Sequence, residues 1–173
     1  KQEKDVSEVV HTALALSLGL GVVVSAFGFF FAEKALRLMD TPDATIAEAV
    51  PYAKAYMLGI PASMVYNYCA AALRAKGDTV RPLIFLGVSG LVNVGLNLWL
   101  VIQFGLGAVG VGIATAAAQY VAMIMVLVYM TFFLKDCTRI HWRQVRLHKQ
   151  KLWRILRVGL PAGIQSIVFS FSN

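Results

Sequence analysis

From Pro82 to Leu134 the chain carries no Lys, Arg, Asp or Glu. A bilayer core of roughly 30 Å is crossed by about 20 helical residues, so this run is too long for one crossing. It must fold back on itself, and Phe104-Gly105-Leu106-Gly107 is the break where it can turn. Two consecutive membrane helices are therefore expected, over 82–103 and 108–134.

The rest of the chain sorts by the same logic. Apart from His11, Val9 to Ala32 holds no potentially charged side chain, and its apolar residues surround the helix instead of lining one face, which predicts a spanning helix over about 7–32. The polar stretch that follows mixes acids and bases and holds turn signals at Thr41-Pro42-Asp43, reading as an outer loop with a short surface helix. A further span is expected over 51–73, with Pro51 in its first turn and Pro61 inside, where the missing backbone donor should kink it. Such a kink survives in a bilayer when neighbours satisfy the freed carbonyl. Asp78 or Thr79 would cap the next helix. In the 108–134 span, Gly110, Gly112, Ala114 and Ala116 to Ala118 leave little side-chain bulk, which allows close approach of a neighbouring backbone.

Composition agrees with an all-α integral membrane bundle. Hydrophobic residues make up 58% of the 173 and charged ones 14%, too apolar for a soluble domain of this size. The net charge of +7 does not call for nucleic acid, because eight of the sixteen basic residues lie between Lys135 and Arg157, joining two hydrophobic stretches. Thirteen of the sixteen fall on one side of the expected topology, with Lys34, Arg37 and Lys54 opposite, so the positive-inside rule makes the first side cytoplasmic. The segment 135–157 is expected to be a basic, partly amphipathic connector on the inner surface of the cell membrane. A last helix begins near Val158, bent by Gly159-Leu-Pro161-Ala-Gly163. The chain opens on KQEKD and ends on FSFSN inside a hydrophobic run, and reads as a fragment.

Enzyme chemistry finds no foothold. There is no acid–base pair, no Ser/His/Asp grouping and no phosphate-binding glycine loop, and His11, His141 and His148 are expected near membrane surfaces without partners. Cys69, inside a span, and Cys137, in the basic connector, have no zinc-like spacing and are not expected to pair. The polar groups at membrane depth are more informative. Asn93 and Asn97 stand one helical turn apart on one face. They could share a ligand, or bond to neighbouring helices as packing glue. Asn67 with Tyr66, and Thr115 with Gln119, are further candidates on either reading.

The segments YNYCAAALRAKGDTVRP, VNVGLN, GVGIATAAAQ and ILRVGLPAGIQSIVFSFSN, in this order and at these separations, resemble the multidrug and toxic compound extrusion (MATE) family, bacterial type. The resemblance covers essentially the whole chain. It implies a piece of a twelve-helix transporter with two six-helix lobes: 1–134 as part of the N-terminal lobe, 135–157 as the cytoplasmic link between lobes, and 158–173 as the start of the C-terminal lobe. It also implies a cation-coupled antiporter, using Na⁺ or H⁺, that exports amphipathic, often cationic, organic compounds by alternating access. No cofactor beyond the coupling ion and no nucleic-acid partner are expected; the bilayer and the remaining helices are.

Residue by residue, Asn93, Asn97 and Thr115 match cation-site positions of the N lobe, including a possible Na⁺ site. Tyr52 and Asn67 match cavity positions on the fourth helix, Gln119 is a further cavity candidate, and Gln165 and Ser166 would face the cavity from the seventh. Asn97 departs from the family pattern by replacing a carboxylate with an amide, which can ligate Na⁺ through its carbonyl oxygen but cannot exchange a proton. A lipid-linked oligosaccharide flippase of the same superfamily is the alternative, and would line its lobes with basic residues; here every Lys and Arg sits at a span end or in a loop. A non-transporting membrane scaffold is a second.

Overall fold

The computed structural model describes residues 2–145 and 149–171. Five α-helices follow in order: α1 (Gln2–Leu38), α2 (Asp43–Ala75), α3 (Val80–Leu98), α4 (Gly107–Val128) and α5 (Lys149–Phe171). Both α3 and α4 end in a π-helical turn, Trp99–Gln103 and Tyr129–Phe133, and a 3-10 turn occupies Trp142–Gln144. There is no strand among the described residues. By length and composition three helices can cross a membrane: α1, α3 with its π turn, and α4 with its π turn. The helix α2, interrupted by Pro51, Pro61, four Tyr and Asn67, is less apolar, yet it lies at the centre of the bundle, against α1 on one side and α4 on the other. α3 packs on α4 and barely touches α2.

The small residues explain the α2–α4 contact. Gly112 lies so close to α2 that a Cβ there would sit 2.9 Å from both Ala55 Cβ and the Tyr52 carbonyl oxygen. A Cβ on Gly59 would sit 2.9 Å from Ala116 Cα. Backbones that near each other gain dispersion contacts along their whole length, the dominant attraction between helices in lipid. Towards the end that carries the α2–α3 turn the small residues give way to larger ones, and Val65, Cys69, Leu73, Val126 and Met130 form a buried core with Val10 and Leu14 of α1.

Pro61 does what its missing N–H requires. The carbonyl left without its helical partner is that of Met57, four residues earlier. Ser25 of α1 donates to it, Oγ to oxygen 2.7 Å. Tyr120 of α4 donates its hydroxyl to the adjacent Leu58 carbonyl at 3.0 Å. α1 also closes on this turn: a Cβ on Gly21 would lie 2.7 Å from Pro61 Cα.

Three expectations need correction. No separate surface helix follows α1; α1 itself runs on to Leu38, a turn at Met39–Pro42 follows with Asp40 at φ 52°, and α2 begins at Asp43. Residues 43–50 hold three Ala and a Glu and no Gly or Pro, so nothing in them stops the helix from continuing into the span. Pro51 consequently lies in the helix interior and not in its first turn. Nor is His11 a surface residue without partners. It is 1% exposed, its Nδ1 donates to the Ser7 carbonyl at 2.6 Å, and its Nε2 accepts the backbone N–H of His141 at 2.9 Å. The two rings stack at 6.2 Å. His148 lies outside the described residues.

That contact is one of several that bind residues 135–145 to the bundle. Ile140 is buried and its N–H donates to the Met130 carbonyl at 3.1 Å. Arg139 Nε donates to the Thr131 carbonyl at 2.9 Å. Lys76, in the α2–α3 turn, pairs with Asp136 and donates to Thr138 Oγ1 at 3.1 Å. The Lys76 ammonium hydrogen-bonded to Asp136 holds that carboxyl below the usual aspartate range. Beyond this strap the final helix begins at Lys149, inside the stretch expected to be a surface connector, and Lys151 ties it to Asp5 and Glu8 of α1.

Candidate functional site

The structure brings together the three residues singled out as cation-site candidates. Asn93 and Asn97 occupy successive turns of one face of α3, and Thr115 approaches from α4. Asn97 Nδ2 donates to Asn93 Oδ1 at 3.0 Å, and Asn93 Nδ2 donates to Thr115 Oγ1 at 3.3 Å. Thr115 Oγ1 in turn donates to the Val111 carbonyl one turn back, at 2.8 Å. The result is a one-way chain that starts at Asn97 and ends on a backbone carbonyl.

The start of the chain is where it is incomplete. Asn97 Oδ1 is buried and accepts no hydrogen bond among the described residues. An unsatisfied amide oxygen at membrane depth costs about 1–3 kcal/mol, so some group should face it. With Asn93 Oδ1 and Thr115 Oγ1 beside it, the cluster offers neutral, hard oxygen donors, the ligand type that suits an alkali or alkaline-earth cation. These oxygens fit Na⁺ as part of a coordination shell. They have no group that titrates near neutral pH, so they fit a carried proton poorly. Among the described residues no group of three or more His, Cys, Asp or Glu could hold a metal ion.

The other candidates do not join this cluster. Asn67 is exposed on α2 and bonds within its own helix, Nδ2 to the Ser63 carbonyl at 2.9 Å. Tyr52 stacks on Tyr56 at 6.3 Å and borders the close contact at Gly112. Gln119 reaches from α4 towards Gly59 of α2, and its Oε1, like Asn97 Oδ1, is buried without a partner among the described residues. Gln165 is exposed on α5, and the side chain of Ser166 lies outside the described residues. Ser25, Tyr120 and His11 carry polar contacts that the sequence pattern does not single out. Ser25 has only one sequence signal, a lone hydroxyl in an otherwise apolar stretch of span.

A half-buried oxygen cluster between α3 and α4, in a bundle of helices long and apolar enough to span a membrane, defines a polytopic membrane protein with a polar site between its helices. The chain belongs to the MatE family, whose model matches residues 1–99. It is similar to "Probable multidrug resistance protein YpnP" of Bacillus subtilis (strain 168), 29% identical over 96% of this chain and 37% of that protein. The similarity to "Probable multidrug resistance protein YoeA" of the same organism is 31% over 100% and 39%. "Multidrug resistance protein NorM" of Vibrio cholerae is 30% identical over 88% and 34%. The chain thus spans between a third and two fifths of these relatives. Among solved structures, "Crystal structure of MATE in the bent conformation" shares the fold with TM-score 0.81 at 22% identity, over 98% of this chain and 42% of that one. "Outward-facing conformation of a multidrug resistance MATE family transporter of the MOP superfamily" matches at 0.80 and 21%, again over 98% and 42%.

Proposed function

We propose that this chain is part of the N-terminal lobe of a longer cation-coupled antiporter that exports amphipathic organic compounds across the cell membrane. In this reading residues 1–134 belong to that lobe, 135–157 form the cytoplasmic link, and 158–173 open the second lobe. Family membership and multidrug-resistance relatives support export. The observation that carries the coupling is the orphaned, buried Asn97 Oδ1 beside Asn93 and Thr115.

Those oxygens favour Na⁺ over H⁺. Asn93, Asn97 and Thr115 would hold the ion, which supplies positive charge to a site that has none of its own. Ion-dependent rearrangement of α3 against α4 would then alter the affinity for the exported compound, and linkage requires the compound to weaken ion binding by the same factor. A flippase reading is less favoured, because the three membrane-capable helices carry their charges near their ends.

The test is export of a fluorescent organic cation by the full-length protein in vesicles, with imposed Na⁺ or H⁺ gradients. Na⁺-driven export is expected, with Asn97→Ala raising the Na⁺ concentration needed for half-maximal rate and Asn97→Asp adding sensitivity to pH. Export indifferent to Na⁺ in the parent protein, or an Asn97→Ala variant with an unaltered Na⁺ requirement, would refute the coupling role.

A further inference from the structure

The charge-free run meets the membrane surface at Arg81, near the start of α3. Asp78 serves it twice: Oδ1 accepts the Arg81 backbone N–H at 3.3 Å, and Oδ2 accepts from Arg81 Nη1 at 2.7 Å. The guanidinium lies over the Tyr129 ring, 4.9 Å from its centroid, so it is held across the α3–α4 seam. Tyr129 is fixed in turn by Phe85 at 5.7 Å and Phe133 at 6.0 Å. Below the guanidinium opens a cleft of about 520 Å³, walled by Ile84 and Phe85 of α3 and by Met125, Val128 and Phe133 of α4 and its π turn. Met125 stands eight residues before Phe133, so the cleft runs about 12 Å from the surface into the hydrocarbon layer.

We infer that this cleft binds a phosphatidylethanolamine molecule from the basic-side leaflet, with its phosphate on Arg81, its ammonium on Asp78 and the upper part of an acyl chain between α3 and α4. The apolar walls with a charged mouth call for an amphiphile lying along the membrane normal. Charge complementarity selects the headgroup. Arg81 has five N–H donors and gives one side-chain hydrogen bond to Asp78, which leaves donors for a phosphodiester. The Arg81–Asp78 pair is close to neutral as a unit, so a headgroup with both signs of charge matches it better than a purely anionic one, whose excess charge would face the carboxylate. A primary ammonium can donate hydrogen bonds to Asp78; the quaternary ammonium of phosphatidylcholine cannot. The inference needs only that the chain spans a bilayer, and it stands apart from the export reading.

Native mass spectrometry of the full-length protein, released from mixed micelles with equal amounts of phosphatidylethanolamine, phosphatidylcholine and phosphatidylglycerol, tests the site. The parent protein should retain phosphatidylethanolamine roughly tenfold over phosphatidylcholine, the discrimination expected of one charge-assisted hydrogen bond. Asp78→Asn keeps a good helix cap, so it should fold, and it should lose that preference. Arg81→Gln should lower retention of every phospholipid here. Val128→Trp fills the cleft while leaving both charges in place, and should abolish retention. Equal retention of the ethanolamine and choline lipids, preference for the glycerol lipid, or unchanged binding in Val128→Trp would overturn the site. So would a parent protein that retains no lipid, the result expected if another helix of the longer chain fills the cleft.

Discussion

Removing the Ser25 hydroxyl should destabilise the protein only while residue 61 is a proline. Pro61 leaves the Met57 carbonyl without its helical donor, and Ser25 supplies one at 2.7 Å from a side chain that is 7% exposed. In hydrocarbon no water can replace it. A buried carbonyl left unsatisfied costs about 1–3 kcal/mol, whereas interhelical hydrogen bonds in bilayers average ~0.6 and reach ~1.7 kcal/mol. Ser25→Ala is therefore expected to cost about 1–1.5 kcal/mol. Pro61→Ala restores the N–H, Met57 rejoins the helical ladder, and Ser25→Ala in that background should cost under ~0.5 kcal/mol. The coupling, near ~1 kcal/mol, is the quantity to measure by a double-mutant cycle, using reversible unfolding in mixed micelles followed by ellipticity. Tyr120→Phe is the control. The Leu58 carbonyl that Tyr120 caps is not the one that Pro61 deprives of its donor, so the loss should be smaller and independent of residue 61. A Ser25→Ala penalty that is the same in the parent protein and in the Pro61→Ala background would refute the reasoning.

Three further outcomes follow from the packing and the strap. Gly112→Ala would place a Cβ 2.9 Å from α2 backbone and side-chain atoms, and should cost about 1–3 kcal/mol in the same unfolding measurement; Gly90→Ala, with nothing within 4 Å, should be neutral or slightly stabilising. Because Lys76 lowers the Asp136 carboxyl from its ordinary 3.8, the pair stabilises the fold above that pH and the contribution is lost as pH falls through the lower folded value. Thermal melts of the parent and Lys76→Met proteins should thus differ at neutral pH and converge in strong acid. A membrane-impermeant maleimide should label Cys137 from the basic side of sealed vesicles and leave Cys69, which is 0% exposed, unmodified; labelling of Cys137 from the opposite side would reverse the orientation.

The helices could be read from the sequence because the bilayer sets one rule, that unpaired charge stays out. The span from Pro82 to Gln103 and its fold-back at Gly105 and Gly107 emerge from that rule alone, and both glycines adopt positive φ in the structure. Helix ends outside the hydrocarbon were less legible. There Asp43 to Val50 are free to continue as helix or turn away, and composition does not decide. The meeting of Asn93, Asn97 and Thr115 could be anticipated, two members by helical spacing and the third by family resemblance. The exposure of Asn67 could not, since one position on a helix fixes no face until its neighbours are known. His11 failed for a related reason. Its partner is a backbone N–H 130 residues away, and no pattern in the sequence points to a main-chain donor.

The strap at residues 135–145 has a mechanical consequence. It grips the start of the α1–α2 pair through His11 and the α2–α3 turn through Lys76, both on the basic side. At the opposite end, α1 and α2 are joined by an ion pair between Arg37 and Asp43 at 3.3 Å, while α3 and α4 meet through their own short turn. Near that far end Gly112 of α4 also lies directly against Tyr52 and Ala55 of α2. The two pairs are therefore fastened at both ends, by polar contacts of the strap on the basic side and by backbone-close packing beside the opposite turns.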